Sequence, residues 1–543
     1  MAAFDRKGVD SEGIRIGPAM CMALLGSLGI TETIDDACKW DRKQRVLSPG
    51  TAVKAMAGTM FTENQKQAMN NIGLFYNGAP ADMLFGPKVT GESLSDSSLG
   101  RALETVFNAD TEQLFCSICS KVKAQLGLDP RMFNFDPTNI TISRSEGDEY
   151  GELPEGAPVP KLGFPKDNTT HRVQYNVSCA VDEFGMPSYV KTCDGNTDER
   201  SMISDAVRFV ENVLGDKRMI AVGDSKMTQW DLVEHMCAHG THFVSKPPQQ
   251  FAGSAKERAV KEALSKGFVN IGKIGSRKDS PEFEVCDIDL ECNNRMLRFV
   301  AYRRTDHSRE IRHMKREDGK ALDKLMRGFE KKLFKTEEEA VAAYTDAVKG
   351  YEDGSYDLIP TFRSKRSIKF PSGLEWKATF KKEFNEARAT EITKNWAGVM
   401  ITNLPRSGTS FDDLTKGATA RDVMRVYFGQ WKIENLFGTM KSGMGADSVF
   451  FQNPERESVM IFIIALAALV RSIVKMRLRS ERSRDLGIRP NMTAERMFLL
   501  TQNVSVRCDR AGGRIYLDGT PGNRERVLRF IDALGIDPDT LLG

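Results

Sequence analysis

The sequence predicts an α/β protein: a mixed-sheet core, interrupted by a large β-rich α+β insertion and preceded by a helical domain. Three observations carry this prediction. Apolar residues recur at helical spacing up to Leu126, and from Arg131 the period changes to short β-branched and aromatic runs. A further core-like strand, GVMIT, then appears only at Gly398, after a long stretch of different pattern.

Taken in order, Ala19 to Leu28, Pro49 to Met60, Gln65 to Phe75, Ser97 to Phe107 and Glu112 to Leu126 carry helical spacing between Gly, Asp and Asn breaks. Residues 1–130 therefore read as a helical N-terminal domain, expected to bind DNA once the partner below is considered. MFNFD, NITIS, QYNVSCAV and SYVKTC follow as strands, bounded by turns such as Asp-Glu-Phe-Gly and Asp-Gly-Asn. A helix over Glu199 to Leu214 feeds RMIAVGD, an apolar strand that ends at Asp224, and a helix over Thr228 to Ala238 feeds THFVS. The runs from MFNFD to SYVKTC make three or four strands, mostly antiparallel; three strands, helix, strand, helix, strand is the order of a ribonuclease H-like catalytic core, with residues 131–245 as its first part.

Residues 246–396 leave that pattern and read as an insertion domain. It contains strands FEVCDIDLEC and RMLRFVAYRR, a charged helix to about Lys332, a helix in TEEEAVAAYTDAVKGY, and strands SIKF and LEWKATFKKEF. Residues 397–480 resume the core with GVMIT, a helix from Ala420 to Met440 and an apolar helix at Val459. Residues 481–543 form a small C-terminal domain: a helix near Ala494, a hairpin of VSVRC and RIYLD around Gly512-Gly513, and a helix from Arg524 to Leu534.

A chain of 543 residues exceeds one ordinary core, so two to four domains are expected. Hydrophobic residues at 40% and charged residues at 28% exclude a disordered or membrane-embedded chain. The longest apolar run, Val459 to Val470, has about half of the ~20 residues a bilayer crossing requires and reads as a buried helix. Ten cysteines without a signal peptide fit a reducing cytoplasm. Cys116 and Cys119 form a CxxC with no second pair at zinc-finger spacing. His235 and His239 are one helical turn apart, but His242 lies beyond Gly240, so histidines on a helix end are preferred to a zinc site.

A net charge of +3 is too mild to identify a nucleic-acid partner, so local clusters carry that argument. Arg295, Arg298, Arg303, Arg304, Arg309, Arg312, Lys315 and Arg316 form one cluster; Arg471, Lys475, Arg477, Arg479, Arg482 and Arg484 form another. Either can track a phosphate backbone, although Glu310, Glu317 and Asp318 also fit a solvated charged helix in the first. Trp376 and Trp396 lie in or near the insertion, as core aromatics or as platforms for an unpaired base.

Phosphoryl chemistry with two metal ions needs carboxylates that converge, because hard divalent cations take oxygen ligands. Asp136 and Asp224 end adjacent predicted strands, where side chains meet at a sheet edge. Tyr427, Gln430, Glu434 and Lys441 are spaced by three, four and seven, which on one continuous helix puts them in a stripe roughly 60° wide. A stripe that offers a phenol, an amide, a carboxylate and an ammonium is a poor core face and a good site.

Together these segments resemble the insertion-sequence DDE transposases that carry a Y-x2-R-x3-E-x6-K signature and a β-rich insertion between the second aspartate and the glutamate. Tyr427, Glu434 and Lys441 match that spacing; Gln430 stands where the signature has Arg and brings no charge. FDPTNITIS and IAVGDSKM are similar to the segments around the two aspartates, and GFPKDNTTHRVQYNVSCAVDEFGMPSYVKTCDGNTDE to the stretch that links them. The resemblance implies that Asp136, Asp224 and Glu434 are catalytic and hold two Mg²⁺ ions, with Mn²⁺ as a substitute. It implies that Tyr427, Gln430 and Lys441 contact DNA, with Arg303, Arg304, Arg312 and Trp376 as further contacts. It also implies cut-and-paste transposition on terminal inverted repeats and target DNA by a homodimer in a prokaryotic cytoplasm. A ribonuclease H-like nuclease without strand transfer and a DNA-binding derivative that has lost catalysis stay open.

Overall fold

The computed structural model describes the chain apart from residues 1–11, 44, 63–67, 143–152, 164–171, 216–217, 276–278, 446–452, 510–513 and 543. The chain forms two compact units: residues 1–245 with 426–543, and residues 246–425.

The first unit opens with strand β1 (Glu12–Arg15) and helices α1 (Ile16–Ser27), α2 (Ile30–Ala37), α3 (Pro49–Thr59), α4 (Ile72–Phe75), α5 (Ala81–Phe85), α6 (Asp96–Phe107) and α7 (Thr111–Gln125). Of the helix expected from Gln65, residues 65–67 lie outside the described residues, and a 3-10 turn at Met69–Asn71 precedes α4. Local chemistry sets the boundaries. Ser48 caps α3 by accepting from Thr51 N at 3.1 Å, with Pro49 in the first turn, and Asp110 caps α7 by accepting from Gln113 N at 3.2 Å.

The sheet of this unit contains β2 (Met132–Thr141), β3 (Lys161–Gly163), β4 (Arg172–Asp182), β5 (Pro187–Cys193), β6 (Ile220–Val222) and β7 (His242–Ser245). β4 pairs antiparallel with β2, β3 and β5, while β6 runs parallel to both β2 and β7. α8 (Glu199–Leu214), capped by Asp198, packs on β2 and β4, and α9 (Trp230–Ala238) packs on β7.

In the second unit, α10 (Ala255–Lys266) packs on an antiparallel sheet of β8 (Val269–Lys273), β9 (Glu282–Cys292), β10 (Arg295–Arg304) and a later strand. Asn293 and Asn294, at φ 48° and 63°, make the two-residue turn between β9 and β10. α11 (Ser308–Phe329) and α12 (Glu337–Val348) cover a two-stranded ribbon, β11 (Tyr356–Arg366) and β12 (Leu374–Phe384). The predicted strand SIKF is instead the start of the link between them. Ile368 is fully exposed, and the pairing strand is Tyr356–Arg366, whose Pro360 and many polar residues obscure its period. After α13 (Glu386–Lys394), β13 (Gly398–Thr402) pairs antiparallel with β10, and α14 (Ala420–Tyr427) ends the unit.

The chain then returns to the first unit with α15 (Trp431–Gly438), α16 (Pro454–Arg477), α17 (Glu481–Asp485), α18 (Ala494–Thr501), β14 (Ser505–Asp509), β15 (Arg514–Asp518) and α19 (Pro521–Ala533). The predicted hairpin pairs as β14 and β15, its turn lying outside the described residues, and β1 adds to its free edge. α16 is long and apolar enough to cross a membrane, yet 83% of its most apolar window is buried inside the protein. It packs against α3, α6, α7 and β5, so the N-terminal helices, the sheet and the C-terminal segment share one core.

Candidate active site

Backbone register lines up the two aspartates. β2 pairs with β6 at Met132–Ile220, Phe133–Ala221 and Asn134–Val222. Carried two residues further, the same register sets Asp136 against Asp224. Gly223 lies in that gap, where an added Cβ would come 3.4 Å from the Phe135 carbonyl oxygen and 3.0 Å from Met227 Sδ. The β2–β4 ladder continues past this point to Thr141, while β6 stops at Val222. β6 therefore no longer pairs with β2 beyond Asn134, which suits Pro137, a residue with no N–H to donate to a neighbouring strand.

Both aspartates are half-buried. Asp224 Oδ1 accepts from Lys226 N at 2.9 Å, and its carbonyl accepts from Met227 N at 3.1 Å and Ser245 Oγ at 2.7 Å, so the strand end is fixed. Lys226 Nζ pairs with Glu199 at the start of α8. Asp136 stands opposite Cys179 on β4, and opposed residues share a face of the sheet. Cys179 and Ile140 belong to the core cluster that also holds Ile433 and Leu436 of α15. Asp136 thus looks to the face that α15 covers, and α15 carries Glu434 in its first turn.

Glu434 is exposed, and the three carboxylates do not form a closed cage. Among the described residues, no group of three or more His, Cys, Asp or Glu is placed to hold a metal ion. The aspartate pair alone still has the right donor chemistry, since Mg²⁺ is commonly held by one or two carboxylates with water and substrate phosphate completing its shell.

The continuous helix expected from Ala420 to Met440 is broken. A 3-10 turn, Phe428–Gln430, separates α14 from α15, and a π turn, Thr439–Gly443, follows α15. These turns advance by more and by less than 100° per residue, so the predicted stripe does not hold. Tyr427 is 6% exposed with its ring 6.2 Å from that of Phe428, Gln430 and Lys441 are half-buried, and Glu434 faces solvent.

The basic residues of the second unit separate into engaged and available groups. Arg298 is 5% exposed and grips Asp287 in a bidentate pair at 2.9 and 2.7 Å while donating to Ala418 O, so it is withdrawn from any phosphate backbone. Arg303 pairs with Glu284 at 2.8 Å, donates to Lys394 O and lies 4.3 Å from the Phe268 ring centroid. Arg304 is half-buried over Phe283. Trp376 packs against the small core of α11, α12 and β12 and bridges to Phe334. Trp396 is 40% exposed and lines a cleft of about 690 Å³ with Arg309, Glu310, Arg312, His313 and Arg316. The aromatic residue beside the arginines is thus Trp396 rather than Trp376. Three-dimensional exposure makes that distinction, and no sequence period could.

The other candidate ligands are held by protein groups. His235 Nε2 meets Glu211 at 2.7 Å and its ring stacks on His239 at 4.1 Å. Cys116 and Cys119 are buried, and burial pushes the Cys119 thiol up to about 12 and raises that of Cys116 further, which disfavours the thiolate a metal needs.

Residues 300–470 match the family model described as "Transposase DDE domain", and residues 19–120 match that of a "Domain of unknown function (DUF4277)". The first match takes in Tyr427, Gln430, Glu434 and Lys441 and leaves Asp136 and Asp224 outside. No curated protein matches the chain. Among solved structures, a piggyBac transposase synaptic complex with hairpin DNA is 9% identical, with a TM-score of 0.37 over 91% of this chain and 82% of that one. A pre-cleavage Mos1 transpososome is 11% identical, with a TM-score of 0.14 over 34% of this chain and 66% of that one. Residues 300–470 thus carry a transposase DDE domain.

Proposed function

We propose that the chain cuts DNA at transposon ends and joins them to a target, on a ribonuclease H-like core whose carboxylates Asp136, Asp224 and Glu434 hold divalent metal ions, Mg²⁺ or Mn²⁺. The observation that carries this reading is the β2–β6 register, which aligns Asp136 with Asp224 where the ladder opens, on the sheet face covered by the Glu434 helix. The strand order β5–β4–β2–β6–β7 supports the same core.

When bound, the ions supply Lewis-acid activation of the attacking oxygen and neutralise charge on the leaving one. The chain's own residues hold the geometry. Lys226 N and Ser245 Oγ fix the Asp224 strand end. Lys441 and Gln430 flank Glu434 in sequence and contact phosphate once DNA is seated, with Tyr427 as a packed support that presents its hydroxyl. In the second unit, Arg304 and Arg312 contact DNA, while Arg303 and Trp376 are already committed to protein contacts. The DNA is the element's terminal inverted repeats and target, held by a homodimer in a prokaryotic cytoplasm.

The test uses a labelled DNA segment carrying the two ends that flank the gene, a target plasmid, and Mg²⁺ or Mn²⁺. Strand-transfer product is expected from the wild type and is lost in Glu434→Gln. Cleavage without joining would reduce the reading to a nuclease. Binding without cleavage, the outcome that the outlying position of Glu434 favours if α15 stays where it is, would make the chain a DNA-binding derivative.

A further inference from the structure

A cleft of about 720 Å³ opens in the first unit between α15 and the C-terminal half of α16. Its charged lining is one-sided. Lys432 comes from α15, and Arg471, Lys475 and Arg479 from α16 and the residues just after it, against Glu183 and Glu495. Glu183 is already engaged, accepting from Met132 N at 2.6 Å and from Arg131 N at 3.1 Å. The Glu495 side chain is 64% exposed and reaches Arg471 only at 3.5 Å.

Arg471 is the built part of the site. It is 7% exposed and donates from Nη2 to Met60 O at 3.1 Å, while its Nε has no hydrogen-bond partner among the described residues. A buried N–H on a charged group without an acceptor is destabilising, and an anion in the cleft would satisfy it. Burial lowers Lys475 below the ordinary lysine value, and the neighbouring Arg479 adds to this. Partly desolvated cations that crowd one another are a receptive surface for phosphate. Trp431, 51% exposed, forms one wall with its ring centroid 5.9 Å from Lys475 Nζ.

We propose that this cleft seats the DNA backbone away from the carboxylates, with Lys475, Arg479 and Arg471 Nε binding phosphate. The placement sets a spacing. Lys432 and Glu183 stand at the Met132 end of β2, four residues before Asp136, which is on the order of 13 Å at 3.3 Å per strand residue. That is roughly four base pairs along a duplex at 3.4 Å each. The cleft therefore holds DNA flanking the reacting bond and fixes its register. This inference rests on the DNA-processing reading above.

The full-length protein is titrated against a short labelled duplex by fluorescence anisotropy at several salt concentrations. Lys475→Ala with Arg479→Ala is expected to lower the slope of log K against log salt by about 1.8, at ~0.9 per phosphate contact, while Lys475→Arg with Arg479→Lys keeps it. Asp136→Asn with Asp224→Asn also keeps it. The duplex is expected to change Trp431 emission, and Trp431→Phe removes that change. An unchanged slope in the double-alanine variant, or no binding of duplex by the wild type, overturns the subsite. If the slope falls as expected but no metal supports cleavage, the catalytic reading fails and the subsite stands; if DNA is cut and the slope is unchanged, the subsite alone fails.

Discussion

At the scale of the residue, Asp136 and Asp224 are lined up by backbone register. Each is half-buried, Asp136 within β2 where the β6 ladder has ended and Asp224 just past the end of β6, and neither depends on a long side chain reaching across space. Asn at either position keeps the shape and removes the charge that an ion requires. Loss of metal stabilisation worth several kcal/mol corresponds to a drop of about 10³-fold in cleavage rate, since each 1.36 kcal/mol is tenfold. Asp136→Asn and Asp224→Asn are thus expected to abolish cleavage in a gel assay while DNA affinity, measured on the same preparations, stays within about twofold. A variant that still cuts at wild-type rate removes its residue from the site.

At the scale of the element, buried charges tie the helices to the sheet. Lys123 of α7 meets Asp182 of β4 at 2.9 Å, with side chains 5% and 0% exposed. Removing one partner strands the other, so Lys123→Met is expected to destabilise the protein by about 3–5 kcal/mol, read as a lower urea midpoint. Glu183, next in sequence, ties the start of β2 to the β4–β5 turn, and burial raises its carboxyl above the ordinary glutamate value in spite of the amides it accepts from. A raised folded-state value means the native protein holds this proton more tightly than the unfolded chain does. The stabilising contribution is full below the unfolded value and is lost as pH rises through the folded one. Compared with Glu183→Gln, the wild type should therefore lose stability across that window, as pH-dependent urea melts would reveal.

The same scale explains what the sequence could disclose. Several strands of the first unit were legible because β-branched runs such as QYNVSCAV end at clear turns, and Asp224 because an apolar strand stops there; MFNFD and NITIS, read as two strands, are one, β2, and the short β3 had no signal. The break at Phe428–Gln430 was not, since Trp431 and Ile433 maintain helical spacing across it and nothing local marks a 3-10 turn. The union of β1 with β14 joins opposite ends of the chain, a contact that periodicity cannot register. Arg298 and Arg303 read as DNA contacts in a string of basic residues, and only packing reveals the acids that hold them.

At the scale of the whole molecule, stability and catalysis draw on different parts. The first unit is held by a continuous apolar core running from α1 through the sheet to α19, and it needs no ion to close it. Chelation with EDTA is therefore expected to stop cleavage and leave the unfolding temperature unchanged. Adding metal should act in the opposite sense on stability. An ion that binds only the folded state at a hundred times its Kd stabilises by about 2.7 kcal/mol, a rise of several degrees in the midpoint at 2–4 °C per kcal/mol. Scanning fluorimetry with Mn²⁺ should show that rise in the wild type and lose it in Asp136→Asn with Asp224→Asn. Glu434→Gln sharpens the comparison. If Glu434 completes the site only when DNA brings α15 towards the aspartates, this variant keeps the rise in the free protein and loses cleavage. If it loses the rise as well, all three carboxylates already share the ion before DNA arrives.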